Sequence, residues 1–282
     1  MQLNLNTLSL ADGKKLYVKA NKQYHTDGTS PLTDGQFNKL EAWIAKQAPK
    51  WKALQETNVK VGKKEAFLLP HPAPSLAKVQ HTDTKRLSAW IARYPNSIVM
   101  AKWDGSSVIA FYEKGKFVRL CTKGDGVTGK DITFLAQGLP QIPRKLPHTR
   151  DAELRCEAIM PEAVWEKKWS TQFKDPRSQV AGMLNKQALH AGLKDLHFVV
   201  LRDLASSKPL SQQLRELQTV KSKHFYTTPF LPWSDVTTLE SLLGDMRKTA
   251  ASKLDGLVLH TNEPLDPNAI TADKPKYAIA WK

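Results

Sequence analysis

Lys102 begins the motif Lys102-Trp-Asp-Gly105, which overlaps the end of the β-rich run Ser97–Trp103. A lysine can attack phosphorus as a covalent nucleophile once its ammonium group is deprotonated, and neighbouring positive charge or partial desolvation lowers the pKa that controls this step. Asp104 can bond a nucleotide sugar or orient the loop, and Gly105 permits a tight turn. The same four residues also describe an ordinary surface turn, so the motif needs support from the rest of the chain.

Further polar groups follow Lys102 along the chain. Lys123-Gly-Asp-Gly-Val-Thr-Gly129 holds three glycines with Asp and Thr between them, which predicts a loop whose backbone N–H groups approach an anion. Glu157 closes a charged strand and can accept a ribose hydroxyl or hold a divalent cation. Arg177 follows Asp175-Pro at a predicted helix start and offers a guanidinium to phosphate or DNA. Each group alone is more often structural than catalytic, so their shared order carries the inference.

The elements that position these groups follow from hydrophobic spacing and turn residues. Residues 1–56 are polar and mostly helical in pattern, with Leu40, Trp43 and Ile44 at helical spacing and Asp34 as the expected N-cap. Prolines then mark an extended connector at Pro70, Pro72 and Pro74. The other predicted elements are a helix over Thr84–Arg93, a strand over Ser97–Trp103, a hairpin around Lys114-Gly115, helices near Pro161–Trp169 and Ser178–Asn185, a strand near Leu196–Leu201, a helix after the capping-box spacing Thr237–Glu240, and strands over Gly256–His260 and Tyr277–Trp281, the last with Lys276 and Lys282 at its ends. Strand runs with inserted helices indicate an α+β fold.

The composition indicates which partners to expect. The 282 residues carry a formal net charge of +15, which favours nucleic acid or nucleotide binding, with a merely solvated surface as the alternative. The absence of a long apolar run predicts no membrane span, and the N-terminus has no secretory pattern. Cys121 and Cys156 lie far apart, which excludes a cysteine-rich zinc site within this chain and suits a reducing, cytoplasmic setting.

In this order the motifs resemble those of NAD⁺-dependent DNA ligases. That family carries K-x-D-G, R-G-D-G-x-T-G-E-D, R-G-E, N-P-R-N and D-G-x-V-x-K, and then a strand that ends in a catalytic lysine. The matching stretches here begin at Lys102, Lys123, Arg155, Asp175, Asp255 and Lys276. The glycine-rich stretch is the most specific, because ATP-dependent ligases lack it at that place. The resemblance implies an ATP-grasp-like nucleotidyltransferase core, shared by DNA ligases and mRNA capping enzymes, of antiparallel sheets with inserted helices over residues 57–282, preceded by a small helical domain over residues 1–56.

The resemblance also implies roles for individual residues. Lys102 is the nucleophile that accepts AMP from NAD⁺, and Lys282 is the second catalytic lysine; Lys276 and Arg177 are expected to contact DNA or phosphate. In the helical domain of this family, which grips nicotinamide mononucleotide, the matching positions are Tyr24, His25, Asp34, Phe37 and Asn38. Further cofactor contacts are expected from Ser75, Leu76, Asp104, Lys123, Glu157 and His260, with Glu157 also a candidate ligand for Mg²⁺ or Mn²⁺. The alternative for Tyr24 and Phe37 is that they are ordinary core aromatics.

Several positions depart from the family pattern. Lys123 replaces an arginine, Met100 a glutamate near the adenine, and Asn185 an arginine after the Asp175-Pro-Arg177 helix start. Phe37 and Asn38 stand where tyrosine and aspartate are usual. His260 replaces a lysine that approaches the nucleotide phosphate, so weaker phosphate stabilisation is expected near pH 7. These changes predict a divergent enzyme that still retains Lys102 and Lys282.

The resemblance extends to partners. The family continues after its second catalytic lysine with OB-fold, zinc-finger, helix-hairpin-helix and usually BRCT domains, whereas this sequence stops at Lys282. We therefore expect either the adenylation subunit of a split ligase, with a second polypeptide that supplies those domains for nicked duplex DNA, or an excised adenylation domain. Two alternatives stay open: an ATP-dependent polynucleotide ligase, and a non-catalytic DNA-binding subunit descended from a ligase.

Overall fold

The structure is a computed structural model. It describes residues 3–5, 7–27, 31–49, 51–54, 65–186, 188–220, 222–233 and 235–282. The helices are α1 (Leu10–Asp27), α2 (Asp34–Gln47), α3 (Thr84–Arg93), α4 (Glu162–Lys168), α5 (Pro176–Asn185), α6 (Leu210–Leu217) and α7 (Leu239–Thr249). The strands are β1 (Ala66–Leu68), β2 (Ala77–Val79), β3 (Ser97–Trp103), β4 (Ser106–Glu113), β5 (Lys116–Thr122), β6 (Thr128–Lys130), β7 (Ala152–Ile159), β8 (His197–Asp203), β9 (Phe225–Thr227), β10 (Phe230–Trp233), β11 (Leu254–Thr261) and β12 (Ala278–Trp281). Short 3₁₀ helices occur at Lys52–Leu54, Thr133–Gly138, Ala191–Asp195, Val236–Thr238 and Pro267–Ala269.

The N-terminal helices α1 and α2 form a small core of their own. Leu40 and Ile44 are fully buried on α2 and pack with Tyr17 and Ala20 of α1, and burial of such aliphatic side chains stabilises a fold by about 1.5–3 kcal/mol each. The N-cap of α2 is Thr33, so the expectation of Asp34 was wrong by one residue. Thr33 caps because it completes a capping box with Gln36, in which each side chain accepts from the other's backbone N–H.

Most of the strands lie in two five-stranded sheets. In one sheet the order is β10-β3-β11-β12-β2, and in the other it is β5-β4-β7-β8-β9; β1 and β6 form a separate pair. The predicted α+β class is confirmed. The sheets are mixed, however, because the edge strand β2 runs parallel to β12 and the edge strand β9 runs parallel to β8. The other pairs are antiparallel.

Each large sheet has its own hydrophobic core. Val99, Leu257 and Ile279 lie in the first, against α3 and α7, and Leu120, Leu154 and Phe198 lie in the second, with α5. The faces of the two sheets that carry the candidate residues line a common cavity. The two cores therefore support the two walls of the cavity.

Local predictions were mostly accurate. Helix α3 and strand β3 have the predicted bounds, and β4 and β5 form the predicted hairpin at Lys114-Gly115. The capping box at Thr237–Glu240 was wrong: the Asp235 carboxylate accepts from the backbone N–H of Thr237 at 2.9 Å, and Thr238 makes no side-chain cap for α7. None of the helices in the described part of the chain is both long and apolar enough to cross a membrane.

Candidate active site

A cavity of about 440 Å³ is lined by strands of both sheets and by residues of α1, α2 and α5. The predicted site residues that line it are Phe37, Ser75, Leu76, Lys102, Lys123, Glu157, Arg177, His260 and Lys282. Residues as far apart in the sequence as Phe37 and Lys282 therefore line the same cavity. The side chains of Tyr24 and His25 on α1, and of Asp34 and Asn38 on α2, lie outside the described residues.

Lys102 and Lys282 share one carboxylate oxygen. The Oδ2 atom of Asp255 lies 2.6 Å from Nζ of Lys102 and 2.5 Å from Nζ of Lys282. Strands β3, β11 and β12 are adjacent and antiparallel, with Leu254 opposite Trp103 and Leu257 opposite Trp281. This register brings the end of β3, the start of β11 and the end of β12 to one place. Asp255 lies in the D-G-x-V motif, but the sequence did not single it out as a site residue.

The charges of this group are coupled. Burial raises the pKa of Asp255, but the two ammonium groups outweigh it and hold that pKa below its usual value. Burial, together with the positive charge of Lys102, holds the pKa of Lys282 below its usual value, despite the attraction of Asp255. Two lysines beside one carboxylate carry a net positive charge, so loss of one proton relieves repulsion and leaves the remaining ion pair intact.

The turn after Lys102 is fixed by Asp104 and Gly105. Asp104 Oδ1 accepts from Nη1 of Arg177 at 2.8 Å, which ties the turn to the start of α5. A Cβ atom on Gly105 would lie 2.1 Å from the carbonyl oxygen of Ala158, so the turn requires glycine there. Asp104 was expected either to bond a nucleotide sugar or to orient the loop. It is not part of the cavity wall, and its bond to Arg177 is consistent with orientation of the loop.

Glu157 is the acidic group of the neighbouring sheet. It lies opposite Ser107 on β4, and its side chain lines the cavity. Burial raises the pKa of Glu157, while the charges of Lys102, Arg155 and Arg177 act in the opposite direction. Glu157 is well placed to accept a hydrogen bond from a ribose hydroxyl. The three nearby positive charges, however, disfavour binding of a divalent cation by this side chain alone. The described residues contain no group of three or more His, Cys, Asp or Glu that could hold a metal ion.

The glycine-rich stretch uses several of its backbone N–H groups internally, although the sequence predicts that they approach an anion. The carboxylate of Asp125 accepts from the N–H groups of Val127 and Thr128, at 2.8 and 2.7 Å. Gly126 adopts a φ of +97° and donates its own N–H to the carbonyl of Lys123. These N–H groups are used inside the loop, because its turn must close before β6 pairs with β1. The stretch contributes Gly124 and the side chain of Lys123 to the cavity wall, and Lys123 donates to Ser75 Oγ at 3.0 Å.

Lys123 has an unusual electrostatic environment. Burial, reinforced by the charge of Arg155, lowers its pKa to about 7, despite the opposing charges of Glu157 and Asp125. Its ammonium is therefore only partly protonated near neutral pH. An anionic ligand in the cavity would favour the charged form, so Lys123 is suited to respond to a bound phosphate.

The helical N-terminal unit forms part of the same wall. Phe37 lines the cavity and stacks on Tyr17 with ring centroids 4.8 Å apart. Lys78 of β2 reaches α2 through an ion pair of 2.6 Å with Glu41. Phe37 thus packs against the small helical core and also lines the cavity, and its contact with a nucleotide stays a prediction.

His260 and Lys276 lie away from the shared carboxylate. His260 pairs with Ile98, four residues from Lys102 along β3, or roughly 13 Å at the rise of an extended strand. The resemblance implies that residue 260 approaches the nucleotide phosphate. The structure does not place this residue close to Lys102. Lys276 is exposed before β12 rather than on it, and it is not part of the cavity wall.

The wall residues that the sequence did not single out as site residues include Arg155, Arg202 and Tyr277, in addition to Asp255. Arg202 is 7 % exposed, and its Nη1 donates to the hydroxyl of Tyr277 at 3.4 Å. A signal for Arg202 was present: it directly follows the apolar run of residues 198–201 in strand β8, and a charged residue beside such a run needs a partner when it is buried.

Comparison with known proteins identifies the family. A family model described as the NAD-dependent DNA ligase adenylation domain matches residues 70–282. A DNA ligase of Acanthamoeba polyphaga mimivirus is 29% identical over 287 residues, which cover 99% of this chain and 43% of that protein. DNA ligase 2 of Pseudarthrobacter chlorophenolicus is 26% identical, with 94% of this chain and 40% of that protein covered. A DNA ligase of Fusobacterium nucleatum is 27% identical, with coverages of 94% and 42%.

The chain therefore spans about two fifths of the length of these curated relatives. The family model itself covers well over half of the chain, from the segment before Ser75 to Lys282. The matched region includes Lys102, Asp255 and both walls of the cavity except the part from α1 and α2. On this match, the chain belongs to the family of adenylation domains of NAD-dependent DNA ligases.

Proposed function

We propose that this chain transfers the AMP group of NAD⁺ to Nζ of Lys102 and releases nicotinamide mononucleotide. The observation that carries the proposal is the pair of lysines on Asp255 Oδ2, inside a cavity whose wall also includes the N-terminal helices. The proposed nucleophile Lys102 and a second cation, Lys282, thus lie beside the same carboxylate, which can accept a proton.

In the proposed step, the Lys102 ammonium first loses a proton to water, and Nζ of the neutral amine then attacks the α-phosphorus in line. A nitrogen–phosphorus bond forms, the bond from that phosphorus to the bridging oxygen breaks, and the electron pair leaves with the mononucleotide phosphate. The second proton, which the nitrogen loses after the nitrogen–phosphorus bond has formed, passes to Asp255 Oδ2 and then to water. Lys282 and Lys123 supply positive charge to the phosphate oxygens as charge develops, and Glu157 accepts a ribose hydroxyl.

The mononucleotide half of NAD⁺ is proposed to lie against α1 and α2. Phe37 lines this part of the cavity and is proposed to contact the mononucleotide, and Tyr24, His25, Asp34 and Asn38 are the other predicted contacts. On this proposal residues 1–56 act as the nicotinamide-side domain and residues 57–282 as the nucleotidyltransferase domain. Mg²⁺ or Mn²⁺ would accompany the substrate's own phosphate oxygens, which are ligands that such ions prefer.

The test is intact-mass spectrometry after incubation with Mg²⁺ and either NAD⁺ or ATP. We expect the mass of one adenylyl group with NAD⁺, no such addition with ATP, and none with NAD⁺ on Lys102→Ala. Lys85→Ala is the matched control, since Lys85 is an exposed lysine on α3 outside the cavity wall. Adenylation by ATP alone would support the ATP-dependent alternative, and no adduct with either donor would support the non-catalytic one.

Delivery of AMP to DNA is a further part of the proposal. The net charge of +15 favours binding to nicked duplex DNA, and the OB-fold, zinc-finger and helix-hairpin-helix functions would come from outside these 282 residues, on the same or a second polypeptide. The buried, unpaired thiols of Cys121 and Cys156 suit a cytoplasmic setting. Pre-adenylated protein mixed with a 5′-phosphorylated nick tests delivery: AMP should move to the DNA end, and retention of all AMP on the protein would show that added domains are required.

A further inference from the structure

Glu41 of α2 connects both N-terminal helices to the first sheet. Its Oε2 atom lies 2.6 Å from Nζ of Lys78 on β2, and the side chains of Lys78 and Glu41 are 35 % and 21 % exposed. The carboxylate also accepts a hydrogen bond from the hydroxyl group of Tyr17 on α1, and burial together with this carboxylate raises the pKa of Tyr17. Glu41 is not part of the cavity wall, so any effect it has on a ligand must pass through the residues that it contacts.

The contact with Tyr17 leads to Phe37. Tyr17 is buried, and its ring stacks on Phe37 with 4.8 Å between the ring centroids and 24° between the ring planes. Trp51 packs edge-on against the ring of Tyr17 at 5.6 Å. Phe37 in turn lines the cavity. Because Glu41 holds the hydroxyl group of Tyr17, the ring that supports Phe37 cannot shift without loss of that hydrogen bond.

The contact with Lys78 leads to the lysines of the site. Lys78 lies opposite Ala280 in the parallel pair of β2 and β12, and both residues line the cavity. Lys282 follows two residues after Ala280, or roughly 7 Å further along an extended chain. Burial and the charge of Lys102 lower the pKa of Lys282, and the charge of Lys78 adds to this effect. Lys78 is therefore a further cation of the cavity wall, on the edge strand that contacts α2.

We propose that Glu41 is a positioning residue for the mononucleotide half of NAD⁺: it holds the Lys78 ammonium toward the leaving phosphate and the Phe37 ring toward the nicotinamide. The proposal rests on the use of NAD⁺ proposed above. The mononucleotide half carries a phosphate and a flat, positively charged ring, and an ammonium group and an aromatic face are complementary to these two features. When the bond from the α-phosphorus to the bridging oxygen breaks, the electron pair stays on the mononucleotide phosphate, and the Lys78 ammonium stabilises the added charge.

The experiment is calorimetric binding of NAD⁺ and of AMP to the full chain with Lys102→Ala, the parent in which no adduct can form on residue 102. We expect Glu41→Gln in this parent to lower the affinity for NAD⁺ about tenfold, while the affinity for AMP stays within about twofold. Lys78→Met should do the same, whereas Lys78→Arg, which keeps the charge, should stay within about threefold of the parent. The double variant Glu41→Gln/Lys78→Met should lose about twentyfold rather than about a hundredfold, because both changes break the same ion pair.

Asp245→Asn is the matched control. Asp245 forms an exposed ion pair with Lys248 on α7, outside the cavity wall, so both affinities should be unchanged. The proposal would be overturned by an unchanged NAD⁺ affinity in Glu41→Gln, by an equal loss for AMP, or by a fully additive loss in the double variant. If Glu41→Gln does not fold, equal NAD⁺ affinities of Lys78→Met and Lys78→Arg would overturn it. Loss of NAD⁺ affinity in the variants, with no adduct from NAD⁺ on the chain that retains Lys102, would instead contradict the proposed function and leave the positioning role standing.

Discussion

Lys123 is expected to destabilise the folded chain at neutral and acidic pH, and Lys123→Met should relieve this. The pKa of its ammonium falls from 10.5 to about 7 on folding, chiefly through burial. Each unit of pKa corresponds to about 1.4 kcal/mol, so the difference of about 3.5 sets an upper limit near 5 kcal/mol. Water reaches part of the side chain through the cavity, and methionine loses the hydrogen bond to Ser75, worth about 1 kcal/mol. We expect a net gain of about 3 kcal/mol at pH 6.5.

The pH dependence gives this prediction its sign. Between about pH 7 and 10.5 the unfolded chain holds the proton on Lys123 and the folded chain does not, so the wild type gains stability as pH rises through this window. The destabilisation is complete below about pH 7 and disappears toward pH 10.5. The advantage of Lys123→Met should therefore shrink to within about 0.5 kcal/mol of zero at pH 9.5.

Urea unfolding at pH 6.5 and pH 9.5 measures both values. Lys116→Met, an exposed lysine on the preceding strand β5, is the control and should change the free energy of unfolding little at either pH. A difference between Lys123→Met and the wild type that is the same at both pH values would refute the argument. A loss of stability at pH 6.5 would refute it equally.

Two further predictions concern the ends of the cavity. Asp255→Asn leaves Lys102 and Lys282 without their shared carboxylate, so single-turnover adenylation by NAD⁺ should slow by at least about a hundredfold; a rate within threefold of the wild type would contradict this role. Phe37→Ala removes the ring that stacks on Tyr17 at the α2 wall. Calorimetry should show NAD⁺ affinity falling by about tenfold or more while AMP affinity stays within about twofold, and an equal loss for both ligands would place the mononucleotide elsewhere.

Local features of the site were readable from the sequence because they depend on near neighbours. A β-rich run followed by Asp104-Gly105 predicts a strand that ends in a tight turn, and the structure has both. Pro176 next to Asp175 predicts a helix start, and the Asp175 carboxylate indeed caps α5 by accepting from Ser178 N–H at 2.7 Å. In each case one or two residues decide the backbone, so no distant contact is needed.

The electrostatics of the site depend on distant contacts and could not be read in that way. Asp255 lies 153 positions from Lys102, and their contact depends on the register of β3 with β11. The role of Asp125 as an internal acceptor required knowledge that the glycine-rich loop closes on itself. The tautomer of His260 depends on the carbonyl of Thr261, so the sequence alone suggested only a neutral substitute for lysine.

The central claim is that Lys102, rather than its neighbour Lys282, carries AMP. Both ammonium groups lie within hydrogen-bond distance of the same Asp255 oxygen, so proximity to that carboxylate does not distinguish them. Peptide mapping by mass spectrometry after incubation with NAD⁺ does. The account predicts the adenylyl group on the peptide that contains Lys102 and unmodified Lys282. An adenylyl group on Lys282, or an unmodified Lys102 in protein that has consumed NAD⁺, would contradict it.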